Sequence, residues 1–369
     1  MTWMALALLV AQAAGPPPPP AVATDLAKRA AAAQDAGKLD EAAALYRQAV
    51  TKAPAWQEGW WQIGGIEYGR DHYPQCRDAF RRFTALNAKL SAGFAFLGLC
   101  EFQTREFAPA VKHLENAVAL GLPNGEQLTD VTLYHLALLH TRGGNFERAL
   151  QFCSALARRK VEDKVIAVAG TAALRRAVFP HELPPADQEI AARLGAALLG
   201  GAGRPPEETR RQFEEIIAQY PRTPNVHYTF STVLLANEPD RALAELKKEL
   251  EISPEHVPAL VSIAFEYLKR GDPASARPFA ERAVKAAPSS FVTRACLGRV
   301  LLETDGEPPA SAIRELEAAV KLAPDSPQIH VSLASAYSKA GRTADALRER
   351  AEFARLKKLM AASDPTEAK

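Results

Sequence analysis

The chain has 369 residues, of which 47% are apolar and 24% are charged, so its composition is ordinary for a folded protein. The formal net charge is +2, and basic and acidic residues alternate along the sequence, as in Arg348-Glu349-Arg350. That alternation is typical of a solvated helix face. We therefore expect neither nucleic acid nor an anionic membrane as a partner.

The N-terminal segment differs from the rest of the chain. Residues 3–10 form a short apolar run, and residues 11–13 (Ala-Gln-Ala) have the form of a signal-peptidase site, although no Lys or Arg precedes the run. The run is too short for a membrane span, which needs about 20 residues. We expect residues 1–13 to be a signal peptide that exports the protein from the cytoplasm of a bacterial-type cell. The alternative is a mis-assigned start or a frayed terminus. Residues 14–22 then predict a proline-rich linker, stiffened by polyproline II structure.

A proline recurs after the N-terminal segment with a period of about 34 residues. Each such proline has an alanine twelve residues upstream, and the prolines are Pro54, Pro254, Pro288 and Pro324. A period of this length marks an array of helix pairs, in which each unit packs on its neighbours. Because the array fills most of the chain, little sequence is left for a catalytic domain.

Each unit predicts two amphipathic helices joined by a short turn. In the last unit Leu333, Ala334 and Tyr337 share one face of the first helix, and Gly341 ends that helix. The same phase predicts units at 23–56, 57–90, 91–124, 130–163, 190–223, 224–256, 257–290, 291–326 and 327–360. Every first helix contains a small residue that lets a second helix approach closely. These residues are Ala30, Gly64, Gly98, Ala137, Ala197, Ser231, Ala264, Gly298 and Ala334.

This pattern resembles the tetratricopeptide repeat family. One unit carries the family's aromatic and glycine stations at Trp60, Ile63, Gly64, Phe80 and Phe83, although Cys76 replaces the usual alanine. A unit near the C-terminus carries Leu297, Gly298, Leu301, Ala312, Ala319 and Pro324. The resemblance covers about 300 residues. It implies an all-α, right-handed superhelical solenoid of helix-turn-helix repeats that holds peptides or partner proteins on a concave face lined by the first helices.

The repeat pattern fails between residues 164 and 189. Residues 164–177 predict a helix, but the prolines of the following stretch, residues 179–185, stop it before a second helix can form. We therefore expect an unpaired helix between a block of four repeats (23–163) and a block of five (190–360), with a tail at 361–369. This break is either a hinge or a degenerate repeat.

No set of residues predicts catalysis, a cofactor or a metal site. His181-Glu182 begins like a zinc-protease motif, but the prolines that follow exclude the helical second histidine. His135 and His140 are five residues apart on one helix, so they do not stack as a metal-binding pair would. Both are expected to be ordinary groove or core residues.

The four cysteines fall inside predicted helices without CxxC spacing. We expect Cys76, Cys100, Cys153 and Cys296 to be small buried side chains. Cys76 and Cys100 lie on helices that should pack together, so a disulfide between them stays an open alternative.

Three positions of each unit, the fifth, ninth and twelfth, share one face of the first helix, which the family's geometry places on the concave side. The residues expected there to bind a partner are Trp61, Tyr68, Leu99, Phe102, Tyr134, Tyr228, Leu235 and Phe265. A solvated face should be polar, so these side chains favour a binding groove. The alternative is a concave side that is filled by its own side chains.

Relatives that bind the C-terminal carboxylate of heat-shock chaperones carry a Lys and an Asn one turn apart on this face, whereas Ala27 and Ala31 stand there in the opening unit. We therefore expect no such clamp. We expect the partner to be an apolar or amphipathic peptide segment.

The predicted function is a non-catalytic protein-binding scaffold. The alternatives are a cytoplasmic regulatory or assembly subunit of an enzyme complex and, less favoured, a degenerate carbohydrate-handling enzyme.

Overall fold

The computed structural model describes residues 19–122, 127–159, 163–200 and 205–363. These ranges contain nineteen α-helices and no β-strand, which confirms the predicted all-α fold. The helices are α1 (Thr24–Asp35), α2 (Leu39–Lys52), α3 (Gln57–Gly69), α4 (Tyr73–Leu86), α5 (Ser91–Gln103), α6 (Phe107–Ala119), α7 (Gln127–Arg142), α8 (Phe146–Ala157), α9 (Asp163–Ala173), α10 (Pro185–Leu199), α11 (Pro206–Gln219), α12 (Val226–Leu234), α13 (Pro239–Ile252), α14 (Val257–Lys269), α15 (Pro273–Ala286), α16 (Phe291–Glu303), α17 (Pro309–Leu322), α18 (Pro327–Lys339) and α19 (Thr343–Ser363).

The predicted signal segment, most of the proline-rich linker and residues 364–369 of the predicted tail lie outside the described residues. The last helix extends to Ser363, three residues beyond the predicted end of the repeats. In the described part of the chain, no helix is both long and apolar enough to cross a membrane.

The chain divides into two compact units. The first contains the described residues up to Val168 and, in addition, the short stretch Ala177–Glu182, which we call the return segment. Helices α1 to α8 of this unit pack as four consecutive pairs, and each pair also packs against the next. An apolar core runs from Ala23 to Ala79 through the first pair and into the second.

The second unit contains Ala169–Arg176 and the chain from Leu183 onward. Its last eight helices, α12 to α19, form four further pairs that pack in sequence. A continuous core joins them from Leu243 to Ala346.

The small residues predicted in the first helices are buried at all nine positions. At the glycines of this set, a large side chain of the second helix packs directly on the first helix. A Cβ atom added at Gly64 would lie 2.6 Å from the Phe80 ring, and one added at Gly98 would lie 2.6 Å from Leu114. Such contacts leave no room for a methyl group, which confirms the predicted close approach.

Glycines end several first helices as predicted, with φ of 74° at Gly341. Asp71 and Arg105 occupy the corresponding turns of two other repeats, with φ of 59° and 62°. A side chain at positive φ is uncommon outside glycine. Asp71 and Arg105 therefore adopt a left-handed backbone conformation that glycine adopts more readily than they do.

Two glutamates repeat the same buried contact in successive helix pairs. Glu67 on α3 is bound by Arg47 of α2 and by His72, whose Nδ1 lies 2.8 Å away. Glu101 on α5 is bound by Arg81 of α4 at 3.4 Å. Both carboxylates are almost fully buried, so each needs its ionic partners. The Arg–Glu pairs join the second helix of one pair to the first helix of the next.

The sulfur atoms of Cys76 on α4 and Cys100 on α5 are joined in a disulfide, with 6.2 Å between the Cα atoms. Both residues are buried, as expected, and the disulfide that the sequence left as an open alternative forms because the packing of α4 on α5 brings the two residues within bonding reach. Cys153 and Cys296 are free and buried, as expected, and burial raises the pKa of each thiol to about 12.

The break in the pattern differs from its prediction. Helix α9 ends at Ala173 rather than at residue 177, and it makes one close contact with α10. An added Cβ at Gly170 would lie 1.7 Å from the carbonyl oxygen of Ala191, so the backbones of α9 and α10 are in direct contact there. Because Gly170 has no side chain, α10 can pack against α9 at this point. The repeat pattern of the sequence did not predict this contact.

We expect Gly170→Ala to lower the free energy of unfolding by at least about 1–3 kcal/mol, because the two backbones must separate to admit a methyl group. Gly69→Ala is the matched control, since no atom lies within 4 Å of its added Cβ. That substitution should stabilise the chain by about 0.4–1 kcal/mol. Urea unfolding followed by circular dichroism measures both, and equal midpoints would contradict the close contact.

Candidate functional site

A cavity of about 450 Å³ opens in the first unit, bounded by α5, α6, α7, the start of α9 and the return segment. Its walls are both aromatic and charged. The lining residues are Phe102, Gln103, Arg105, Phe107, Tyr134, Leu138, Arg142, Lys164, Ala167, Phe179, Pro180, His181 and Glu182.

Three phenylalanines form one wall of the cavity. The ring of Phe179 in the return segment lies 5.8 Å from the ring of Phe102 and 5.5 Å from that of Phe107, with the planes near perpendicular. The His135 ring meets Phe102 edge-on at 4.6 Å. Edge-to-face contacts place the positive edge of one ring on the negative face of another, so they fix the geometry of the wall.

Arg142 of α7 holds the return segment in place. Its guanidinium carbon lies 4.7 Å from the centre of the Phe179 ring, and its Nη1 donates to the Glu182 carboxylate at 2.6 Å. The backbone N–H of Phe179 donates to the same carboxylate at 2.8 Å. That N–H, followed by Arg142, lowers the pKa of Glu182 below its ordinary value. The return segment is thus bound through one aromatic ring and one carboxylate.

The opposite wall combines Tyr134 with Lys164. The Lys164 ammonium lies 5.4 Å from the centre of the Tyr134 ring, as in a cation–π contact. Beneath them, burial lowers the pKa of His135, and the nearby Lys164 acts in the same direction, while a hydrogen bond from Nδ1 to the Val131 carbonyl opposes it. His135 is therefore uncharged at neutral pH.

A smaller cavity of about 190 Å³ adjoins this wall and shares Tyr134 and Lys164.

Three lining residues, Arg105, Arg142 and Lys164, are permanent cations, whereas Glu182 supplies a single carboxylate. Arg142 is already bound to that carboxylate. The cavity thus places charged side chains beside aromatic surface.

Two of the predicted groove residues, Phe102 and Tyr134, meet at this cavity. They lie on α5 and α7, the first helices of consecutive pairs. Their side chains are half-buried and remain in contact with the cavity.

Trp61 and Leu99 are corrected from groove residues to core residues. Trp61 is 6% exposed, and its ring lies 5.4 Å from Phe80 and 5.1 Å from Phe83. Leu99 is 2% exposed. These side chains are covered by large neighbours, so for these two residues the alternative of a self-filled face holds.

The other four predicted residues are half-buried and are not among the lining residues of the cavity. Tyr68 packs edge-on against Phe96 at 5.4 Å, and burial raises its pKa to about 12. In the second unit Tyr228 lies 4.8 Å from the His256 ring, and Phe265 lies under the Arg299 guanidinium at 5.2 Å. Leu235 caps the C-terminus of α12. Partner binding by these residues stays a prediction.

Several cavity residues were not predicted, namely Phe107, Arg142, Lys164 and the return segment. The proline-rich break was the available signal, but it indicated only a hinge or a degenerate repeat.

Within the described ranges no three His, Cys, Asp or Glu residues are grouped as a metal would require. His140 faces Glu115 at 3.2 Å and stacks on Phe152, whereas His135 bonds to the backbone, so the two histidines have separate environments.

Comparisons with known proteins identify the repeat. The family described as Tetratricopeptide repeat matches residues 297–355. The probable biofilm formation methyltransferase WspC of Pseudomonas putida is 36% identical over 94 residues, which are 25% of this chain. The matched part spans only 22% of that relative.

Similar solved structures include MamA 41-end from Desulfovibrio magneticus RS-1, at 24% identity and a TM-score of 0.40 over 45% of this chain and 91% of that chain. A chain of the APC/C hetero-tetramer Cut9-Hcn1 is 15% identical with a TM-score of 0.36, over 91% of this chain and 66% of its own length. A tetratricopeptide repeat protein from Parabacteroides merdae is 16% identical with a TM-score of 0.34, over 75% of this chain and 97% of its own.

We expect Glu182→Gln to release the return segment at pH 7, because the amide loses the ionic contact with Arg142. In the unsubstituted protein this contact is complete above about pH 4.5, the ordinary value for Glu, and is lost as the pH falls through the lowered pKa. Hydrogen–deuterium exchange at residues 177–182 should become faster in the variant. The exposed Glu207 provides the control, and the same acceleration in Glu207→Gln would contradict the assignment.

Residues 297–355 therefore contain tetratricopeptide repeat sequence, as the family match shows, and the helices of each unit form consecutive pairs.

Proposed function

We propose that this protein is a non-catalytic scaffold that binds a protein or peptide segment through aromatic and apolar side chains of its first helices. The observation that carries the proposal is the meeting of Phe102 and Tyr134, from two consecutive first helices, at one open cavity. A cavity of a few hundred Å³ with aromatic walls and a few polar groups is typical of a binding site.

The chemistry of the cavity supports a binding role rather than catalysis. Its lining contains no Ser, Thr or Cys, and Tyr134 supplies the only hydroxyl group. Glu182 accepts hydrogen bonds from Arg142 and from a backbone N–H, which keep it ionised and engaged. A nucleophile with an adjacent base, as covalent catalysis requires, does not occur among these lining residues. The methyltransferase similarity covers too little of that relative to carry its activity over.

We further propose that the protein is exported, as the sequence of residues 1–13 predicts. The disulfide between Cys76 and Cys100 supports this proposal, because such bonds persist in oxidising compartments and are rare in the cytoplasm. The alternative, a cytoplasmic regulatory or assembly subunit, would require these two cysteines to stay reduced.

Partner binding is tested by selecting binders from an unbiased random dodecapeptide library and measuring their affinities by fluorescence anisotropy. Phe102→Ala and Tyr134→Ala should each weaken binding by about 1–3 kcal/mol, as loss of an aromatic anchor does. Phe291→Ala is the control, since this residue is 40% exposed and lies in the other unit. Unchanged affinities in both cavity variants, with helicity intact, would remove the cavity from the proposed function.

Export is tested on protein purified from its native host without reductant. Intact mass should place the N-terminus at Ala14, after the small-x-small site, and show one disulfide. Trypsin digestion should then release a linked peptide pair that contains Cys76 and Cys100. An unprocessed N-terminus with four free thiols would indicate the cytoplasmic alternative.

A further inference from the structure

The outer face of α19 differs from the same face of the inner helices of the second unit. Inside this unit, each second helix from α13 onward is covered by the first helix of the next pair. Leu243 on α13 is 7% exposed and Ile313 on α17 is 6% exposed, and each directly follows a buried alanine of its helix. Leu347 takes this position on α19, where no further pair follows within the described residues, and it is 57% exposed.

A second position confirms that this face is shaped to receive a helix. Glu317 of α17 accepts a hydrogen bond at 2.7 Å from Tyr337 of the next first helix. Its counterpart one repeat later is Ala351, which is exposed, as is Ala354. These two alanines and Leu347 follow one another at helical spacing, so they form one apolar stripe along α19. The end of a repeat array is normally polar on its outer face, because that face meets solvent. An apolar stripe at this end therefore indicates a partner.

The charges of α19 are divided between its two sides. Arg348-Glu349-Arg350 alternates in sequence, but the Glu349 carboxylate turns inward, where Nδ1 of His330 lies 2.6 Å away, and both arginines stay exposed. The other two carboxylates of the helix are likewise half-buried and bound by arginines. The exposed charged residues of α19 are therefore all cations, namely Arg348, Arg350, Arg355, Lys357 and Lys358.

Arg350 determines which kind of helix can cover the stripe. Leu316 takes the corresponding position on α17 and is fully buried, so a helix placed on α19 in the same way would bury Arg350. The Arg350 guanidinium donates to the hydroxyl of Ser338 at 3.0 Å, which is a neutral acceptor. Burial of a guanidinium without a carboxylate is costly. The covering helix must therefore supply an acidic side chain at this point.

We propose that the outer face of α19 binds an amphipathic helix of a partner protein in which acidic side chains flank the apolar face. The apolar face of that helix packs on Leu347, Ala351 and Ala354, and one of its carboxylates binds Arg350. The interface uses no residue of the cavity in the first unit and goes beyond the proposed peptide-binding function.

Two other occupants fit these observations less well. Pairing of α19 with α19 of a second copy would bring two sets of exposed cations together, and like charges repel. A membrane surface is served by helices that bury Trp, Phe and Leu. The stripe offers one leucine and two alanines, which is little apolar area for insertion but leaves room for a second helix to approach closely.

The probes are two libraries of peptides of about 18 residues, long enough to form a helix. Their apolar positions vary among Ala, Val, Leu and Ile, and the positions beside the apolar face are fixed as Glu in one library and as Gln in the other. Binders of the full chain should come from the Glu library. Replacing Glu by Gln in a selected peptide should weaken its binding about ten-fold by fluorescence anisotropy, because the charge-assisted contacts are lost.

Variants of α19 locate the contact. Arg350→Gln combined with Lys357→Gln should weaken binding of a selected Glu peptide about ten-fold and that of its Gln counterpart less than two-fold. Arg350→Lys should retain binding, because the charge is kept. Leu347→Ser should weaken both peptides about ten-fold, because the leucine no longer supplies apolar area to the interface.

The second unit also supplies matched controls. Arg211→Gln combined with Lys247→Gln removes two exposed cations from other helices, and Leu322→Ser changes a leucine that is 47% exposed on α17. Neither should alter binding of the helical peptides. Phe102→Ala should not alter it either, so this test is independent of the cavity in the first unit. Circular dichroism confirms that each variant is folded.

The proposal is overturned if Glu and Gln peptides bind equally, if neither library yields a binder, or if the α19 variants bind the Glu peptide as well as the unsubstituted protein does. A dimer in sedimentation velocity that Leu347→Ser dissociates would assign the face to a second copy instead. Binding to phosphatidylglycerol vesicles that the Arg350→Gln and Lys357→Gln double variant abolishes would assign it to a membrane surface. Either result would also overturn the proposal.

Discussion

Close contact between the two helices of a pair is the constraint on which the rest of each unit depends. At Gly98 an added Cβ would lie 2.6 Å from Leu114, so only a small residue lets α6 pack this close to α5. The contact fixes the position of α5, and α5 carries Phe102 one turn further along. The position of Phe102 in the cavity wall therefore depends on the contact between α5 and α6. That contact is too tight to admit one more methylene group.

Electrostatic contacts add order between the pairs. Glu67 and Glu101 occupy equivalent places in consecutive repeats, and each is bound by an arginine of the preceding second helix. A buried carboxylate without such a partner would be costly, so the Arg–Glu pair favours one register of neighbouring pairs over others. Helix packing sets the spacing within a pair, and these ion pairs set the alignment between pairs.

The repeat could be predicted because its determinants are local and periodic, as Gly64, Gly98 and Gly341 show. Whether an individual groove residue is buried or lines a cavity could not be predicted, since Trp61 and Phe102 both lie on the predicted face of their helices. Trp61 is covered by the phenylalanines around it, whereas Phe102 borders a cavity. The position of the return segment could not be predicted from the sequence for a different reason. Its contact between Arg142 and Glu182 joins residues 40 apart in sequence, outside the period that the pattern follows.

The disulfide has a consequence for how the array comes apart. In a linear array of repeats, unfolding begins at an end and advances one unit at a time, because each unit is held only by its neighbours. Cys76 and Cys100 link the second helix of one pair to the first helix of the next. Fraying that starts at the N-terminus therefore passes through the first helix pair alone, and then reaches a second pair that is covalently tied to the third. Reduction turns the link between these two pairs back into an ordinary interface.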